Sequence, residues 1–472
     1  MAEHAKKKRR PVLKALLALV VIAGLAFTAK LTAVLGRRPS PSIDYAAPFR
    51  QQAFDTSEED WAWPIYQRVF AKVDHASPEL LEIVAEGDDA SARWDEAVAH
   101  TRSLHWLMEL ATEATRKPVM GWPREPTGGT MISPDPDQYR RERTLARLLD
   151  ADAALAAVDG DADRVVTRIR SLMALGQHLG HPPVLLHELI RLSVHAKAIT
   201  RLLHVLANFP DLLDEERLEQ VHNAMSEVRR RGAGISYEGE RLLLKDFLQQ
   251  VYTEAGTVSP IGLHRYANTY MPGVLPSDST VVTALLALFA SDRDEVESRV
   301  EAFVDRSAEL AKTPLYLWPD DRSDIDALRA DAKRFPADPS VILLDTMLPV
   351  TRYRADASQT LQQGLDAAIV AIALARHRAA KGAWPATLDE IDKTLLPEIP
   401  IDRFDGQPLR YHLTDEGPLL YSVGYDTDDD NGRPSSHAHH WATSSHRASQ
   451  LDAEPELYDG DWVFLPPPTF DN

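Results

Sequence analysis

The sequence predicts a mainly α-helical protein. It has an N-terminal transmembrane helix, a large irregular α-helical domain built of helical hairpins, and a small C-terminal α+β module with a short antiparallel sheet. Three observations predict this. A continuous apolar run at 12–35 follows a basic cluster. Apolar residues then recur at helical spacing over most of 55–350. Beyond residue 400 the pattern changes to strict alternation bounded by turn residues, the mark of short strands.

Composition limits the function classes. With 472 residues, 44% of them hydrophobic, the chain can bury more than one core. Its net charge is −19, and the first 38 residues hold nine Lys and Arg but a single acid, so the remainder is more acidic still. An acidic body does not suit nucleic acid as a partner. There is no cysteine, which excludes disulfides and thiolate metal sites.

Lys6-Lys7-Lys8-Arg9-Arg10 lies in a basic tail, 1–11, ahead of the apolar run. The heart of that run is 15–29, and Lys14 and Lys30 can reach the headgroups from within it. The whole stretch is just long enough to cross a bilayer. Basic residues stay cytoplasmic, so the expected topology is a single-pass signal anchor in the inner membrane with a periplasmic body. A cleaved signal peptide competes. Gly24 and Ala26 fit small-residue cleavage positions only marginally, and an uncleaved anchor is preferred. A nuclear or nucleic-acid role for the basic cluster is disfavoured by the apolar run directly behind it. Gly36-Arg37-Arg38-Pro39-Ser40-Pro41-Ser42 opens an extended linker, 36–54.

In the helical domain, 55–350, periodicity predicts helices at 61–73, 78–86, 92–116, 138–158, 162–179, 183–208, 215–230, 237–254, 280–289, 293–312, 323–334 and 339–348. Asp159-Gly160-Asp161 reads as a tight break between antiparallel helices, and Ser291-Asp292-Arg293-Asp294 as a helix start. Gly128-Gly129 and Pro134-Asp135-Pro136 mark a loop. No period of 34 residues is sustained, so this is not a tetratricopeptide array.

Chemistry in this domain is sparse. His187-Glu188-Leu189-Ile190-Arg191 begins like a zincin helix, but Arg191 stands where the second His is needed, and His195 lies two turns away. Glu238, Glu240, Arg241 and Asp246 form a charged patch that reads either as an acid–base set or as a solvated helix face with ion pairs. Trp61, Trp63, Trp94 and Trp106 read as core before they read as a ligand groove. No P-loop, dinucleotide fingerprint or nucleophile elbow occurs.

The C-terminal module, 355–465, is expected to start with a helix at 356–380. That helix should bury Leu361, Leu365, Ile369 and Ile372 on one face. Thr387-Leu388-Asp389-Glu390 should start a short second helix. Residues 408–413 and 419–423 read as strands around the turn Thr414-Asp415-Glu416-Gly417, and 461–465 as a third strand before the tail, 466–472. Between the second and third strands lie Asp426, Asp428, Asp429, Asp430 and Asn431. So many carboxylates repel one another unless solvent or a cation screens them, and hard divalent ions take six to eight oxygen ligands. Asp426, Asp428 and Asp430 are the first candidate ligands, with Asp429 and Asn431 in reserve. The competing reading is a solvated acidic turn. Asp426, Asp428 and Asp430 at alternate positions resemble the start of an EF-hand, but that reading is disfavoured, because Gly432 falls one place late and His437 stands where the bidentate Glu belongs. His437, His439, His440 and His446 read as a polar insertion before they read as a transition-metal site.

The order of a long amphipathic helix, Gly382-Ala383-Trp384-Pro385, Ile399-Pro400, Phe404-Asp405-Gly406, Pro408-Leu409-Arg410-Tyr411, Tyr421-Ser422-Val423-Gly424 and an acidic loop carries a family likeness. It resembles the C-terminal head of the major pseudopilins of type II secretion. The resemblance implies a long helix packed on a small antiparallel sheet, with calcium in the loop after the Tyr-Ser-x-Gly strand. The rest of the chain departs from that family. No pilin processing site precedes the apolar run, and about 320 residues separate the anchor from the module. Pilus assembly is therefore not carried over. The expected function is a membrane-anchored scaffold or interaction protein of the bacterial envelope, with envelope proteins as partners, a secretion link and a calcium-stabilised module. The alternative is an envelope hydrolase using carboxylates of the helical domain.

Overall fold

The fold is that of a computed structural model, and it is described for residues 2–121, 136–181, 183–231, 236–270, 280–318, 339–434 and 460–467. It is mostly helical, with one small three-stranded antiparallel sheet near the C-terminus. The predicted histidine-rich insertion, the Gly128–Gly129 loop and the helix expected at 323–334 lie outside the described residues.

The helices are α1 (Ala2–Leu35), α2 (Ala47–Phe54), α3 (Trp63–Phe70), α4 (Pro78–Glu86), α5 (Trp94–Ser103), α6 (His105–Thr115), α7 (Pro136–Val158), α8 (Ala162–Leu179), α9 (Leu185–Asn208) and α10 (Glu215–Arg231). They continue with α11 (Glu238–Val251), α12 (Pro260–Tyr270), α13 (Thr280–Ala287), α14 (Arg293–Lys312) and α15 (Pro339–Lys381). The strands are β1 (Arg410–Thr414), β2 (Gly417–Ser422) and β3 (Trp462–Leu465).

Several predicted elements differ from those observed. The helix expected at 92–116 is broken at Leu104 into α5 and α6. Residues 47–54 of the expected linker form α2, where Pro48 occupies a first-turn position that needs no amide hydrogen. The helices expected at 339–348 and 356–380 are one helix, α15. Thr387–Glu390 yields only a 3-10 turn, Leu388–Glu390. Helix α12 was not expected.

The chain forms two compact units. One takes in α1 to Tyr45, the bulk of α11 from Arg241, α12, α13, α14 as far as Phe303, and the start of α15 as far as Leu348. Its core includes Phe247 and Tyr266, whose ring centroids are 4.3 Å apart, with Leu248, Val251, Leu263, Val296 and Val300. The segment after α1 is held down. The Gln249 side chain accepts from the Ser42 and Ile43 amides at 3.1 and 3.0 Å and donates to the Ile43 carbonyl at 2.7 Å.

The other unit takes in Ala46–Glu240, the end of α14 from Val304, and the chain from Pro349 onward. Helices α7, α8 and α9 pack as successive hairpins, with α4 against α7. The α7–α8 turn is local chemistry. Gly160 takes φ 73°, and Asp161 caps α8 by accepting from the Arg164 amide at 3.0 Å. Buried ion pairs fix the hairpins. Arg168 of α8 is fully buried and donates to Asp152 of α7 at 2.7 Å and to Thr112 and Glu109 of α6 at 2.6 and 2.5 Å. Three helices share one guanidinium, so losing any partner would leave a buried charge underpaired.

The C-terminal sheet belongs to this same unit. Leu361, Leu365, Ile369 and Ile372 of α15 are buried as predicted, but so are the residues between Ile369 and Ala375 on the opposite face. The stretch of the helix from Ala355 to Ala375 thus lies inside this unit. Buried Asp366 meets Arg229 of α10 at 2.7 Å and Arg403 at 3.3 Å. Arg376 pairs with Glu215 and Arg378 with Asp211.

Candidate metal centre

The sheet runs β1-β2-β3, antiparallel throughout. Alternation of apolar and polar residues sets the β1–β2 register, which pairs Arg410 with Tyr421 and Thr414 with Gly417. This brings Arg410 beside the end of β2, where the acidic loop leaves the sheet.

Asp402 organises that point. It is fully buried, and its carboxylate accepts from the Ser422 hydroxyl and the Val423 amide, both at 2.9 Å, and from the Phe404 amide at 3.1 Å. Arg410 donates to it at 2.9 Å and also pairs with Asp405. Burial raises the Asp402 carboxyl above its ordinary range, while the amides of Phe404 and Val423 and the Ser422 hydroxyl act the other way. Two hydrogen bonds, from Ser422 and Val423, thus hold the start of the loop to the segment around Asp402, and Arg410 of β1 joins them there.

The loop then turns tightly. Thr427 and Asn431 adopt φ 64° and 57°, uncommon for residues with a Cβ, although Asn tolerates that region. Gly432, at φ 82°, is required twice over, because a Cβ there would also lie 2.5 Å from Leu419 Cδ2. Tyr425 projects inward to donate to Asp356 of α15 at 2.5 Å, and its ring packs edge-on against Phe404 and Trp462.

The structure brings Asp426, Asp428 and Asp430 together. One carboxylate oxygen from each lies within 4.8 Å of the others, a group that could hold a metal ion. Among the described residues no other group of three or more His, Asp or Glu does so. Asp426 accepts from the Gly460 amide at 2.9 Å through Oδ2, while its buried Oδ1 has no hydrogen-bond partner. Burial, and then the nearby Asp428 carboxylate, push the Asp426 carboxyl up to about 7. An orphaned oxygen and an elevated proton affinity on one carboxylate are what a cation at this position would relieve. Asp430 is also engaged by Arg433 at 2.7 Å.

The two reserve ligands lie outside this group. Asp429 turns back to the sheet, where its Oδ1 accepts from the Tyr421 hydroxyl and the Asn431 amide, each at 3.0 Å. Asn431 occupies the left-handed turn and is exposed.

Two residues that organise the loop were missed by sequence reasoning. One is Asp402, whose Ile-Asp-Arg-Phe-Asp context reads as an ordinary turn. The other is Asp461, at the start of β3. Asp461 is 2% exposed, accepts from the Gly432 amide at 2.6 Å, and is pushed up to about 6 by burial and by Asp429 and Asp430. It sits under the loop and supports its backbone. Its pairing partner is 29 residues away in the chain, and no local pattern reveals it.

The other candidates have contacts of their own. His187 is buried and contacts the Tyr139 hydroxyl at 3.3 Å, whereas His195 contacts the Met173 carbonyl at 3.1 Å, so the two imidazoles serve different partners. Burial pushes His195 down to about 3 and His178 to about 4, which keeps both neutral inside the bundle. In the charged patch Glu238 is exposed, Arg241 pairs with Glu301, and Asp246 accepts from Gln249 at 2.9 Å. Trp106 is exposed and Trp61, Trp63 and Trp94 are half-buried.

At the other end of the chain, α1 contains a 19-residue stretch, Leu17–Leu35, long and apolar enough to cross a membrane. It could be a membrane anchor or a signal sequence. No family model, curated protein or solved structure matches the chain.

Proposed function

We propose that this chain is a membrane-anchored scaffold or interaction protein of the bacterial cell envelope, with a C-terminal module held in shape by a bound calcium ion. The observation that carries the reading is the convergence of Asp426, Asp428 and Asp430, with a buried, unpartnered oxygen on Asp426. A set made only of carboxylates favours a hard cation over zinc or copper, and a loop with backbone carbonyls close by suits the high coordination number of calcium. When bound, the ion supplies positive charge that cancels the repulsion among the three carboxylates. The chain's own contribution is to hold the loop ends, through Asp402 at one side and Asp461 at the other.

The order along the chain of a long helix, a small antiparallel sheet and an acidic loop after Tyr421-Ser422-Val423-Gly424 is in keeping with a pseudopilin-like head and hence with a secretion-related role. The anchor reading adds location. The basic tail stays in the cytoplasm, α1 crosses the inner membrane, and the body lies in the periplasm.

Two measurements test the reading. Protease added to spheroplasts should digest the body and leave a small membrane fragment, whereas a body protected until lysis would reverse the topology. Crosslinking and capture from native membranes should return envelope proteins in calcium, and fewer of them after chelation. Capture of no envelope protein in either condition would remove the scaffold role.

A further inference from the structure

We propose that α13 lies in the headgroup and upper acyl region of the bilayer crossed by α1, so that the unit carrying the anchor rests on the lipid surface. This deepens the anchor reading above and depends on α1 spanning the membrane.

The depth argument starts from length. Nineteen residues at about 1.5 Å each make a span close to the hydrocarbon thickness of about 30 Å, so Leu35 falls at the boundary of the bilayer. From Leu17 to Lys30 every α1 side chain is exposed, while Leu31 and Leu35 are half-buried and Val34 is 1% exposed. Helices α12 and α13 pack against α1. That contact therefore involves the last turn of the span, and elements packed there lie at the membrane surface.

The chain after α1 leaves no slack. The Ser259 hydroxyl, at the start of α12, donates to the Arg37 carbonyl at 3.1 Å, and Arg37 reaches the Val258 carbonyl at 3.5 Å. Gln249 fixes Ser42 and Ile43. The unit cannot move off along a tether without breaking these contacts.

The chemistry of α13 matches that position. Thr283, Ala284 and Ala287 are buried inward. Leu285 is 36% and Phe289 57% exposed, and Val282, three residues before Leu285, is 37% exposed. Val282 and Leu285, three residues apart, share one face of α13, and Phe289 lies two residues beyond its end. Among the described residues, the large apolar side chains this unit exposes outside α1 are these three and Ile43, eight residues past the end of α1. Exposed apolar side chains on and just after a helix packed against the end of a membrane span point to lipid as the occupant.

The chain has no cysteine, so a single introduced cysteine carries a unique label. Full-length Phe289→Cys, Leu285→Cys and Ile22→Cys proteins would be labelled with an environment-sensitive NBD probe and reconstituted into phosphatidylcholine–phosphatidylglycerol vesicles. Quenching would then be compared between doxyl-labelled lipids and aqueous iodide. The expected result is blue-shifted emission at all three positions, strong lipid quenching and weak iodide quenching. Positions 285 and 289 should respond most to a doxyl group near the headgroup, and position 22 to a deep one. Lipid quenching at 22 together with iodide quenching at 285 and 289 would overturn the inference and leave the anchor intact. A blue shift at 285 and 289 insensitive to lipid quencher would mean that protein covers this face, which also overturns it. No lipid quenching at 22 would remove the anchor reading and this inference with it.

Discussion

The buried carboxylate of Asp402 accepts the Val423 amide at 2.9 Å, and so ties the first residue after β2 to a segment 21 positions earlier. The same carboxylate holds the Ser422 hydroxyl and the Arg410 guanidinium. Asp402→Ala would strand these donors in a buried site. Breaking a buried, hydrogen-bonded charge pair costs about 3–5 kcal/mol. Denaturant unfolding should report a loss of that order, and the calcium response of the loop should disappear with it. A change within experimental error would mean the loop does not depend on this hub.

Calcium should raise the melting temperature of the full chain. Binding to the native state alone stabilises it by about 2.7 kcal/mol when free ligand is a hundredfold above Kd. Magnesium should do less, because it gives up its waters reluctantly. The double variant Asp426→Ala, Asp428→Ala should melt at the same temperature with calcium and with chelator. If the wild type also shows no shift and no heat of binding, the triad is only a charged turn.

The pH dependence has a defined sign. The folded-state affinity of Asp426 for a proton is raised, to about 7 from 3.8, so the metal-free fold binds more protons than the unfolded chain in that window. Its contribution to stability is fully present below 3.8 and is lost as pH rises through about 7. Asp461, raised to about 6, acts in the same direction. Cation binding runs the other way, because the ion needs the carboxylate deprotonated and affinity should grow as pH rises through the same window. Buried neutral histidines such as His195 also titrate, so the quantity to measure is the difference between wild type and Asp426→Asn. In chelator the wild type should lose stability relative to the variant as pH rises. A difference independent of pH would contradict the assignment.

Ile369→Asp tests how far α15 belongs to the helical bundle. The side chain is 6% exposed, and an uncompensated buried carboxylate is among the few changes that cost more than about 4 kcal/mol. Asp366 nearby already links Arg229 and Arg403. Unfolding should therefore spread through the whole unit, with loss of most helical circular dichroism and early cleavage in α7–α10 under limited proteolysis. Retention of a protease-resistant α7–α10 core would show that the C-terminal module unfolds independently.

Much of this protein was legible in the sequence, because the signals are local. The apolar run that became α1, the bounds of α4, α8 and α14, and the turn at Gly160 and Asp161 follow from side chains a few residues apart. So do the two strands around Asp415 and the spacing that places Asp426, Asp428 and Asp430 in one loop. Tertiary structure decided what depends on distant partners. Residues 339–381 form a single helix, and its stretch from Ala355 to Ala375 is largely buried because distant parts of the chain meet on it, as Arg229 of α10 and Arg403 do at Asp366. Asp429 is drawn out of the carboxylate group because the Tyr421 hydroxyl across the loop captures it. Asp402 and Asp461 act on the loop from 21 and 29 residues away. Periodicity and capping report the chain's neighbours in sequence, whereas a buried carboxylate is specified by whichever donors the fold brings to it.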